Sequence, residues 1–200
     1  MAWRRPEVKR RVPHTTPPKA GRFAALWHGW LLALQHSPYY PLAVAALALP
    51  SNATGLYPYG PILCAALLIA PQRWRSVWLF ACLGATCGAL LLAALVQWQG
   101  TPFIEHAMPG LMQQPEWQAH EARVAQYGPW ALLVFAALPI PQTPVVLITA
   151  LSQASLWQIG LAVFAGKLVK YGAYTLMTLG ARGALRRWFR RRNGPGQGRG

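Results

Sequence analysis

Apolar residues in this chain gather in runs, and the runs differ in how they are interrupted. The run at 77–96 holds twenty residues without a charge. Coiled as a helix rising about 1.5 Å per residue, it is long enough to cross a hydrocarbon core of roughly 30 Å. A run of similar length, 156–179, carries Lys167 and Lys170 within it. The other apolar stretches come as pairs of short pieces. Pieces 42–49 and 62–70 are split by Pro50, Gly55, Pro58, Gly60 and Pro61, and pieces 131–138 and 145–151 by Pro139, Pro141 and Pro144. A continuous helix is not expected to hold so many breakers in so few positions. Each piece makes about a dozen ångströms of helix, too little to span. The pattern predicts two re-entrant hairpins whose tips are buried in protein, because free backbone groups cannot face lipid.

The two halves repeat. At an offset of 83, Pro58 aligns with Pro141, Pro61 with Pro144 and Trp74 with Trp157. Each half is a broken hairpin, an aromatic turn and one long helix. A hairpin returns to its own side while a long helix crosses once, so the halves have opposite orientations, an inverted repeat. The expected fold is an all-α integral membrane protein of two such repeats with an interfacial helix ahead of them. That amphipathic helix is placed at 23–36, where Phe23, Trp27, Trp30, Leu31 and Leu34 fall at near-helical spacing. Residues 1–22 read as a basic, proline-rich, disordered tail, 37–183 as the membrane domain and 184–200 as a basic C-terminal tail. Gly84 and Gly88 make a small-residue face for close helix approach. Within 97–128, Pro115 and Glu116 open a surface helix. Glu116 and His120 lack a third ligand, and no metal is expected.

Charge sharpens this picture. Nineteen Lys and Arg face four acids, and seven of the basic residues lie in 1–22, seven more in 182–200. Basic tails flanking an apolar body suit an anionic lipid surface better than a nucleic acid, and no specific nucleic acid is expected. Arg73, Trp74 and Arg75 read as interface anchors, and the loop 97–128 holds three of the four acids. The positive-inside rule then puts both termini in the cytoplasm. Cys64, Cys82 and Cys87 sit in apolar runs and read as small hydrophobes.

From HSPYYPLAVAALALPSNATGLYPYGPILCAALLIAPQRWR, the segment AQYGPWALLVFAALPIPQTP and GKLVKY, residues 36–183 resemble the DedA family, also called VTT-domain or SNARE-associated proteins, and its YqaA-like branch. The resemblance implies a multi-pass protein of the bacterial inner membrane that moves an anionic lipid, such as a polyprenyl phosphate or a phospholipid, as a flippase or scramblase. It implies two facing re-entrant hairpins as the pathway, with tips at Pro58, Gly60, Pro61, Pro139, Pro141 and Pro144. No cofactor is expected. Many members carry acids at the hairpins. This chain has none at 37–100 or 129–180.

The candidate chemistry lies in the second half. Lys167 and Lys170 share one helix face with Tyr174, and the second tip should bring Gln142 and Thr143 to the same depth. These five residues are the expected substrate contacts, the ammoniums accepting a lipid phosphate. A cation at membrane depth costs about 2.5–3.5 kcal/mol, so it is a functional candidate by default; the bland alternative is pairing with hairpin carbonyls. Catalysis would need a nucleophile with its base, or carboxylates on a metal, and an enzyme is not expected. A scaffold derived from the same family is the alternative function. The expected partners are membrane lipids with anionic head groups, with a homo-oligomer left open.

Overall fold

The computed structural model describes residues 37–192 apart from Leu56; the expected tail at 1–22, the expected helix at 23–36 and residues 193–200 lie outside the described residues. Every regular element described is helical. In chain order the α-helices are α1 (Tyr40–Thr54), α2 (Tyr59–Ile69), α3 (Trp74–Gln99), α4 (Thr101–Ala107), α5 (Pro115–Tyr127), α6 (Pro129–Ala137), α7 (Thr143–Leu151) and α8 (Leu156–Arg192), with short 3-10 turns at Pro71–Arg73 and Leu111–Gln113. Only α3, with the turn before it (Pro71–Gln99), is long and apolar enough to cross a membrane on length and composition among the described residues.

The breaks are narrower than the prolines suggested. Helix α1 runs through Pro50 and ends at Gly55, whose φ of 67° is left-handed and open to glycine at little strain. A single internal proline removes one backbone donor, and neighbouring side chains bond backbone carbonyls here: Asn52 Nδ2 donates to the Ala48 carbonyl and Thr54 Oγ1 to that of Pro50. Gly60 and Pro61 lie in the first turn of α2 and Pro144 in that of α7, where a missing N–H is harmless. Helix α6 ends before Pro139, with Leu138 extended as the residue before a proline prefers. The last helix is longer than the apolar run 156–179. It continues through the basic residues after Gly183 to Arg192, because arginine propagates a helix and no proline follows until Pro195.

Helix α3 is the spine. Helix α1 lies along it in the same direction, so closely that a Cβ on Gly84 or Gly88 would strike the backbone of Ala45 or Leu49. Ala53, near the end of α1, reaches only the level of Gly88, near the middle of α3. Helix α2 returns antiparallel to α1, since Tyr40 Oη donates to the Ala66 carbonyl and Tyr57 Oη to that of Leu47. The hairpin closes where it began, with Arg73 Nη1 donating to the Ser37 carbonyl. Helix α8 is antiparallel to α3: Gln97 bonds the Ala154 carbonyl, Leu90 meets Gly160, and Trp78 bonds the Leu168 carbonyl. In the second half α6 lies on α8, with Gly166 against Leu133 and Ala136, while α7 packs on α3. Each hairpin thus lends its first helix to its own long helix and its second to the other's.

This packing segregates charge. Ser37, Arg73, Arg75 and the C-terminal half of α8 lie at one end of the α3–α8 pair, and the acid-bearing segment from Thr101 to Tyr127 follows from the other. There α5 opens at Pro115 with Glu116 in its first turn, as its sequence predicted. It buries Trp117 and Val124 and sets the His120 ring edge-on to Phe135 at 4.9 Å. Desolvation, helped by Arg123 and opposed by Glu116, holds the His120 pKa below the usual histidine value. Outward positions on α3 and α8 are large and apolar: Leu83, Leu91, Leu161, Val169, Leu176 and Met177 are all exposed. Exposed Trp98, Trp130 and Trp157 stand at helix ends.

Candidate functional site

A cavity of about 420 Å³ opens where the two hairpin tips meet α8. The first tip contributes residues from Ser51 to Pro61, the second Pro139 to Thr143, and α8 the face bearing Lys167, Lys170, Tyr171 and Tyr174. Helical spacing explains that face, since positions three and four apart stand on one side of a helix.

At its inner wall three side chains form a chain of fixed polarity. Lys167 is 4% exposed, and its Nζ donates to Asn52 Oδ1 at 2.7 Å. An ammonium can only donate, so the Asn52 amide must turn its oxygen toward it. The Asn52 nitrogen then donates to the Ala48 carbonyl at 2.8 Å. Gln142 must in turn present its nitrogen, which donates to the same Asn52 oxygen at 3.3 Å. That leaves Gln142 Oε1 buried and without a hydrogen-bond partner among the described residues. The Lys167 ammonium also lies 3.5 Å from Tyr171 Oη and 5.1 Å from the centre of that ring, a cation–π contact.

Tyrosines frame the remainder. Tyr171 packs on Tyr59 at 5.4 Å and on Tyr174 at 6.5 Å, and Tyr59 Oη donates to the Val44 carbonyl. The Tyr174 ring lies against Gly60, where any side chain would crowd it. Lys170 is half-buried, lines the cavity and has no hydrogen bond among the described residues. Among the described residues, the cavity lining holds no carboxylate and no histidine.

The structure gathers Lys167, Lys170, Gln142, Thr143 and Tyr174 into this one cavity, along with Pro58, Gly60, Pro61, Pro139 and Pro141. Pro144 does not line it. Arg73, Trp74 and Arg75 lie apart at the start of α3, with the Arg75 guanidinium 5.2 Å from the Trp74 ring centre. The carbonyl that receives Lys167 belongs to the Asn52 side chain and not to the hairpin backbone. Sequence reasoning missed Asn52, Tyr57, Tyr59 and Tyr171. For Tyr171 a signal existed, its place four residues after Lys167. No such signal marks Asn52.

The described residues form a helical fold with large apolar side chains on its outside, one helix long and apolar enough to cross a membrane, and a polar cavity between two short hairpins, features that suit a membrane protein. A model of the VTT domain matches residues 38–179, and the chain belongs to that family, a membrane-associated family with a proposed role in lipid transport. Comparison with curated proteins and with solved structures gives no match.

Proposed function

We propose that this protein is a lipid transporter, a flippase or scramblase, that passes an anionic phosphate lipid through the cavity between its hairpin tips. The observation that carries the reading is the pair of ammoniums, Lys167 and Lys170, on the wall of a cavity built from both tips in a region with no carboxylate. A cation buried without a counter-ion is costly, and a lipid phosphate supplies the missing charge. Two ammoniums, Thr143 and tyrosine hydroxyls suit binding a phosphate. They do not suit hydrolysing one, which needs an activated nucleophile or a metal.

Our reading of topology follows. The hairpins are re-entrant, since the first tip reaches only the middle of α3 and the hairpin closes at its own starting end. The halves form an inverted repeat, supported by the antiparallel long helices and the reciprocal packing of the hairpins. The basic end is cytoplasmic by the positive-inside rule, in a bacterial inner membrane, and the resemblance of residues 36–183 favours the YqaA-like branch. Leaflet exchange by the purified protein in vesicles, compared across anionic and zwitterionic lipids, tests the function. Exchange no faster than in protein-free vesicles sinks it. One observation favours the alternative of a non-transporting scaffold: Lys167 already has an internal acceptor and is almost fully buried. A scaffold would give that null result while remaining folded.

A further inference from the structure

The Asn52 oxygen is the only acceptor within 3 Å of the Lys167 ammonium among the hydrogen bonds of the described residues, and it also ties the first tip to the second through Gln142. An amide at this place does something a carboxylate could not. It holds the ammonium in register by one hydrogen bond yet leaves the positive charge unneutralised. The tie is also incomplete, because holding it strands Gln142 Oε1 as a buried acceptor, and a stranded acceptor weakens the arrangement that strands it. Lys170 waits on the same cavity wall without a hydrogen bond among the described residues. Lys167 is 4% exposed on that wall, so an anionic oxygen that reaches Lys170 competes for Lys167 with the Asn52 oxygen, its one close acceptor among the described residues.

We infer that Asn52 is a positioning residue and place-holder: it fixes Lys167 between transport events and yields its place to the incoming phosphate. The same exchange unties the two tips, because Asn52 is the atom group they share. This rests on the transport reading above. Both partners are charged in a bond from the ammonium to a phosphate and only one in its bond to the amide, so the exchange runs forward when lipid is present. Release of the amide also frees Gln142 to reorient and find a partner for its oxygen.

The test uses the full chain in phosphatidylcholine vesicles with phosphatidylglycerol as the probe, its mole fraction varied to find the value giving half-maximal exchange. Asn52→Ala removes the competitor, and the half-saturating mole fraction should fall about threefold. Asn52→Asp turns the place-holder into a counter-ion that phosphate must displace, so the value should rise about tenfold while thermal stability in detergent holds or increases. A merely structural role would change stability and maximal rate and leave the half-saturating fraction alone. Asn52→Ala raising that fraction, or leaving it unchanged, overturns the inference. If the alanine variant does not fold, the aspartate variant decides, and an unchanged half-saturating fraction in it is equally fatal. Wild-type protein that moves phosphatidylglycerol, with variants altered only in maximal rate, removes this inference and leaves transport standing. Wild-type protein that moves none removes both.

Discussion

Replacing Lys167 with methionine keeps most of its volume and removes a buried charge that no carboxylate in the surrounding helices neutralises. Asn52 Oδ1 retains the Gln142 donor in that variant, so only part of its hydrogen bonding is lost. We expect thermal stability in detergent to stay level or rise, because the cost of burying a cation is lifted. Exchange of a phosphate lipid should drop about tenfold or more, since a charge-assisted bond is lost. Lys170→Met should lower exchange less steeply, the residue being only half-buried. A stable double variant with wild-type exchange would rule the substrate role out. At this scale the sequence was most informative where a residue type is anomalous for its surroundings. Two lysines in an apolar run announce themselves, and their spacing draws Tyr174 with them. Gln142 and Thr143 were legible because the proline-broken stretch had to be a tip. Asn52 was not, because a neutral amide in an apolar helix suits capping, turns and hydrogen bonds to helix carbonyls equally well. Its role depends on a lysine more than a hundred positions away in the chain.

Among the elements, the α1–α3 contact is the tightest, and it is made of backbone. Where lipid replaces water, helices gain little from burying apolar surface against each other and rely on close van der Waals fit. Gly84 and Gly88 provide that fit against the carbonyls of Ala45 and Leu49. Gly84→Ala should therefore destabilise the protein by about 1–3 kcal/mol, seen as a lower midpoint of thermal unfolding in detergent. Gly180→Ala, which meets open space on α8, should be neutral or slightly stabilising. Equal effects of the two would contradict the close approach. The pairing of short pieces into hairpins, and the start of α5 at Pro115, followed from the sequence. Helix ends did not. Pro61 and Pro144 lie in first turns, where a proline's missing N–H was not needed, and Pro50 lies inside α1, which gives up one backbone hydrogen bond there. Gly166, which lets α6 onto α8, looked like any glycine in an alanine-rich run.

Across the whole molecule, the antiparallel spine sends the acid-bearing segment to one end and Arg73 and Arg75, at the start of α3, to the other. A single cysteine at the exposed position Gln113, in a background without Cys64, Cys82 and Cys87, should react with an impermeant reagent added outside intact cells. Reaction only after permeabilisation would contradict the proposed orientation. The apolar runs made the two-part plan legible, but a pattern of runs has no way to show which hairpin helix lies on which spine; that depends on small residues meeting at particular levels. The unbroken course of α8 has one more consequence. From Lys167 to Arg182 the helix rises about 22 Å, and nothing in that stretch can bend sharply in the manner of a proline. An arginine held at the head groups therefore sets the depth of the cavity lysines as a ruler would. Bilayers thinner or thicker than the ruler carry the lysines off the mid-level or force the helix to tilt. Exchange should accordingly peak at one acyl-chain length and decline on both sides, a dependence that vesicles of graded chain length would reveal.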